Sequence, residues 1–187
     1  VWFRRLLLFC WLGSLGGASG FAKGTIDLPP PLVVAGEIEA QALLDLTRPL
    51  LPSGAFLAPL FDTHYAIIEY RWLEREFLPF YREAAADLRS WASREGDASD
   101  CDNYGSFLRQ MMGLAGIGAR SDEPAAAQLI VLQNRPFSGV KRTREKHCVG
   151  LFLTDQGWYV LEPQNGAELT KLSRYANRKT IRYITFH

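Results

Sequence analysis

Apolar and polar positions change their period partway along the chain. In the first part the spacing is helical. Ile38, Ala42, Leu43 and Leu46 predict a helix starting near Gly36, with Pro49 and Pro52 to end it. Ile68, Trp72, Phe77, Phe80, Tyr81, Ala84, Leu88 and Trp91 predict a longer one over 67–92, with Pro79 as a kink or break. Between them Phe56 to Phe61 reads as a short strand, and 94–99 as a loop. Ser99-Asp100 are good N-cap residues for a third helix, with Cys101 in its first turn, Phe107, Leu108, Met111, Met112 and Leu114 as its apolar face, and Gly113 and Gly116 near its end. After that the pattern is short and strand-like. Strands are expected at 128–133, 147–154, 158–161 and 180–186, with a polar loop at 135–145 and a tight turn at Asp155-Gln156-Gly157. Helices first and an antiparallel meander last predict an α+β fold, with N-terminal helices packed on an antiparallel sheet of about four strands.

The chain start stands apart. Arg4 and Arg5 precede the apolar run Leu6 to Leu12, which continues through small residues to Gly20. A basic start, a short apolar middle and a small-residue end predict a secretory signal peptide over 1–22 rather than a membrane span. That predicts a periplasmic or secreted protein with no stable membrane insertion once the signal is removed. An uncleaved anchor or a core helix is the alternative. Cys10 follows Phe9, not the small residue a lipidation site needs. Residues 23–36, with Pro29-Pro30-Pro31, read as an extended arm, and 37–187 as one domain. The 187 residues are 48% hydrophobic and 22% charged, as in a globular protein, and a net charge of +1 points away from nucleic acid as a partner. Cys101 and Cys148 are too few for a disulfide framework.

Cys101 is the residue with chemical potential. A thiol attacks as its thiolate, which a helix N-terminus favours. It needs a proton-transfer partner, usually imidazole, and a third group to orient that imidazole. His147 opens a strand, and pairing across the turn at Gln156 sets it opposite residues 164–166. Glu162, Gln164 and Asn165 all fall near it. Glu162 fits best as the orienting acid, and either amide is an alternative. Alternation along the strand points Cys148 away from Cys101 if His147 faces it, making Cys148 a core residue. Trp91 and the two amides are candidates for lining a substrate site. His64 has no such support and reads as a loop or helix-start residue; His187 is terminal.

Cys101-Asp102-Asn103-Tyr104-Gly105-Ser106-Phe107-Leu108, followed by Ala115-Gly116-Ile117-Gly118-Ala119-Arg120, resembles the nucleophile helix of bacterial transglutaminase-like proteins. His147, followed by Gly157-Trp158-Tyr159-Val160-Leu161-Glu162-Pro163, is similar to the second half of that core. The resemblance covers roughly 91–166. Two positions depart from the family: Glu162 stands where Asp is usual, and Gly105 where Ala is common, an exchange expected to be harmless. The resemblance implies a papain-like/transglutaminase-like core and a cysteine peptidase or amidase acting on a protein or peptide substrate through an acyl-enzyme. A binding protein on the same fold and a peptidoglycan amidase are the alternatives. Phosphate-loop, dinucleotide and zinc motifs are missing from the sequence, so no cofactor or metal is expected.

Overall fold

The computed structural model describes residues 5–6, 26–95, 101–141, 145–166 and 168–186. The signal-peptide segment therefore lies outside the described residues, apart from Arg5–Leu6 (β1), which pairs antiparallel with Ile26–Asp27 (β2). The chain then runs through β3 (Val34–Glu39), α1 (Ala40–Thr47), β4 (Phe56–Leu57) and β5 (His64–Ile68). A continuous helical stretch follows, α2 (Tyr70–Trp72) leading through a π-helical turn, Leu73–Phe77, into α3 (Leu78–Glu95). After α4 (Cys101–Ala119) come β6 (Glu123–Pro124), β7 (Ala126–Leu132), β8 (Lys146–Thr154), β9 (Gly157–Leu161), β10 (Thr170–Lys171) and β11 (Ile181–Thr185).

The strands form a mixed sheet with α3 and α4 against one face. Its central order is β10-β9-β8-β7-β11-β4, antiparallel at each step as far as β11. The four expected strands are thus present in the middle of a larger sheet, but only β7, β8 and β9 form the expected meander: β11 crosses back to pair with β7. The wholly antiparallel sheet is corrected: β4 runs parallel to β11, and β5 runs parallel to β6 and, through Ile68 and Thr154, to β8. The added strands come from the half of the chain that was expected to be helical. Gly36 to Glu39 belongs to β3, which among the described residues pairs with β5 alone, and α1 begins at Ala40. Ile67 and Ile68 belong to β5, whose side chains Tyr65, Ala66 and Ile68 are buried; the start of the predicted helix is corrected to a strand, because an apolar run with no alternation fits a buried strand and a helix equally. The last residues of the expected arm, from Val34, already lie in β3. Just before it the arm crosses α4, where the Leu32 N–H donates to the Ala115 carbonyl at 2.9 Å.

Pro79 is the second residue of α3, directly after an irregular turn. The π-helical turn upstream shifts the ladder, and the Leu78 N–H donates to the Leu73 carbonyl, so the register changes just before the residue that has no N–H to give. At the far end of α4, Arg120 takes a left-handed conformation (φ 56°), with bonds from its own N–H to the Ile117 carbonyl and from the Ser121 N–H to the Gly116 carbonyl. This is a Schellman stop, placed later than the glycines implied.

Apolar residues fill both faces of the sheet. On the helix side Phe77, Tyr81, Leu108, Met112 and Phe152 are fully or almost fully buried. On the other side Leu129, Val131, Val149, Leu151 and Val160 meet Leu43 of α1 and the C-terminal residues Tyr175, Ile184 and Phe186. No described helix is long and apolar enough to cross a membrane.

Candidate active site

Packing between α4 and β8 fixes where the thiol lies. Alternation puts Cys148, Gly150 and Phe152 on the α4 side of β8, and Val149 and Leu151 on the other. The contacts interlock. Cys148 fills the space over Gly105 so closely that a Cβ there would lie 2.3 Å from its Sγ. Two residues along the strand the roles reverse, and a Cβ on Gly150 would lie 2.5 Å from Leu108 Cδ2. With Gly105 over Cys148, one helical turn back brings Cys101 level with the first residues of β8.

His147 stands at that end of the strand, opposite Val131 on β7, and is buried. Its Nε2 and Glu162 Oε2 are 2.7 Å apart, and Glu162 is fully buried. The Cys101 thiol acts on the same imidazole from close by, raising its pKa. With Nε2 engaged by Glu162, Nδ1 is the nitrogen left for the thiol. Burial alone would lower the imidazole pKa; hydrogen bonds to Cys101 and Glu162, with their charges, outweigh it and raise His147 to about 9. Burial drives the Cys148 thiol the other way from reactivity, up to about 12, with Cys101, Asp102 and Glu162 adding to the rise.

Counting across the hairpin explains the acid. Gly150 pairs with Leu161 and Thr154 with Gly157, so one further step sets Glu162 level with Val149, two residues from His147 on the same face of β8, and makes it the diagonal neighbour of His147. Gln164 lies beyond the ladder, in the turn. Of the three candidates, the one on the imidazole is Glu162. Gln164 contributes its backbone N–H, which donates to Glu162 Oε1 at 3.2 Å. The Asn165 side-chain amide donates to the Ser138 carbonyl. Trp91 falls in α3, and its side chain lies outside the described residues, as do the N-cap pair Ser99-Asp100 and His187. His64 opens β5, exposed, with Nδ1 3.1 Å from Thr63 Oγ1.

Two features were not anticipated. Cys148 does not turn away from the nucleophile helix: with Gly150 and Phe152 it is on the face of β8 that packs against it, and His147 is the second residue of the strand. Cys101 and Cys148 are nonetheless both free thiols. The second feature is the clamp on the turn after β9. Tyr81 donates to the Pro163 carbonyl at 2.6 Å, Arg82 Nε to the Gly166 carbonyl at 2.7 Å, and Arg89 to the Gln164 carbonyl. Nothing local in the sequence signals these contacts, which span more than seventy residues; only Pro163 and Gly166 mark the turn itself. Among the described residues no group of three or more His, Cys, Asp and Glu could hold a metal ion. No family model, curated protein or solved structure matches the chain.

Proposed function

We propose that the chain is a cysteine hydrolase of the transglutaminase/papain-like kind, cleaving peptide or amide bonds through Cys101, His147 and Glu162. The observation that carries this is the buried Glu162–His147 pair at 2.7 Å, with Cys101, at the start of a nineteen-residue helix, near enough to raise the pKa of the same ring. His147, held as an imidazolium up to about pH 9, pairs with the Cys101 thiolate, which attacks the acyl carbon. The tetrahedral intermediate collapses to a thioester as the imidazolium returns its proton to the leaving amine. Water, deprotonated by the neutral imidazole, then attacks the thioester, and the thiol is restored as the acid leaves. Glu162 holds the ring and stabilises its charge throughout.

Alkylation by iodoacetamide tests the pair before any substrate is known. Of Cys101 and Cys148, only Cys101 should be carbamidomethylated in the folded protein at pH 7. His147→Gln keeps a donor for Glu162 and removes the base, and should slow that labelling by about tenfold or more. Equal labelling rates in the two proteins would sink the reading. A panel of peptides and of peptidoglycan fragments, with Cys101→Ala as the blank, then separates a peptidase from a wall amidase. Binding that survives Cys101→Ala without any turnover in the wild type would indicate a non-catalytic binding protein.

A further inference from the structure

We propose that Tyr81 is a positioning residue, its hydroxyl holding the turn that follows Glu162 while its ring packs on the helix that carries Cys101, and so setting the His147 imidazole. The inference rests on the reading of Cys101, His147 and Glu162 as one group.

Tyr81 is fully buried on α3, an element that supplies none of those three side chains. Its single proton goes to the Pro163 carbonyl at 2.6 Å, one residue past Glu162. The same oxygen lies 3.4 Å from the Tyr104 carbonyl, in the first turn of α4. The ring is held on three sides. It stacks on Phe77 at 6.1 Å between centroids, meets Phe107 of α4 at 5.9 Å, and lies against Gly166, where a Cβ would be 3.0 Å from Tyr81 Cδ1. Gly166 has φ +57°, and its N–H closes the turn on the Glu162 carbonyl at 2.9 Å. One side chain thus touches the turn at both Pro163 and Gly166 while packing on the nucleophile helix. Burial and the nearby Glu162 carboxylate both hold the phenol in its protonated, donating form.

The β8–β9 ladder ends at Leu161. Beyond it, sheet hydrogen bonds no longer hold the acid, and the backbone of the turn needs another anchor. Arg82 and Arg89 hold the same turn from the exposed part of α3. Tyr81 holds it from inside, where the geometry of the buried pair is decided. A displacement of about 1 Å in such a group costs up to about a hundredfold in rate.

Tyr81→Phe keeps the ring and removes the hydroxyl. The measurement is the His147 titration, followed by NMR in the wild type and the variant, beside thermal melts of both. In the variant the midpoint should move from about 9 down toward the ordinary value near ~6.5, and Cys101 alkylation should slow by about tenfold. A lowered melting temperature with an unchanged His147 midpoint would show a merely structural tyrosine and overturn the proposal. In the wild type alone, the Tyr81 hydroxyl proton should exchange slowly and its resonance should follow the His147 titration; one indifferent to it overturns the proposal equally, even if Tyr81→Phe does not fold. Should His147 prove not to govern Cys101 labelling, the hydrolase reading falls, and the titration comparison still decides the role of Tyr81.

Discussion

Glu162 is fully buried, and both of its carboxylate oxygens are used, Oε2 by His147 and Oε1 by the Gln164 N–H. A buried carboxylate is tolerated only when it is paired and hydrogen-bonded in this way, and stripping away its partner costs about 3–5 kcal/mol. His147→Ala should therefore destabilise the fold as well as remove the base, which is why His147→Gln is the cleaner variant. Glu162→Gln preserves the shape and removes the charge. It should lower the His147 midpoint from about 9 and reduce turnover by about a hundredfold or more, with the basic limb of the pH–rate profile moving down in step. An unmoved limb would take Glu162 out of the reaction. The acid could be found in the sequence because hairpin pairing is arithmetic once the turn is located. Its Gln164 anchor could not, since a backbone donor leaves no mark on residue type.

Helix α4 and strand β8 were both legible, because one has an uninterrupted apolar face and the other a tight turn beyond it. Their mutual fit was not. Gly105 reads as a harmless stand-in for alanine until Cys148 is seen occupying the place of its Cβ. Gly105→Ala should overpack this contact and cost about 1–3 kcal/mol. Adding Cys148→Ala should recover most of that loss, because the two residues share one space. Chemical denaturation of the two single variants and the double variant measures the coupling; additive losses would mean that the helix simply moves aside. The strands β3 and β5 were illegible for a different reason. Each depends on pairing with distant partners, β5 with β3, β6 and β8 at once; β5 carries no alternation, and in β3 it is limited to the short stretch Gly36-Glu37-Ile38-Glu39.

At the scale of the whole molecule, the buried pair makes stability depend on pH. The folded His147 titrates at about 9, above the ~6.5 of an unfolded chain. The folded state therefore holds the extra proton between those values. The stability it confers is complete below pH ~6.5 and disappears as pH rises through about 9. Cys148, kept a thiol up to about 12 in the fold, adds a loss of the same sign once the unfolded thiol ionises near ~8.5. Urea midpoints taken at pH 6, 8 and 10 should fall steadily in the wild type, and by less between pH 6 and 8 in His147→Gln. Parallel curves for the two proteins would contradict the raised midpoint.

The reciprocal glycines of α4 and β8 also make the helix a ruler whose zero mark is Gly105. A residue inserted before Cys101 only lengthens the approach to the helix. One inserted between Cys101 and Gly105 leaves every later tooth engaged and swings the thiol by about 100° around the axis, lifting it by ~1.5 Å. The four-residue interval from Cys101 to Gly105 should therefore tolerate substitution at exposed Asp102 and Asn103 but no change in length.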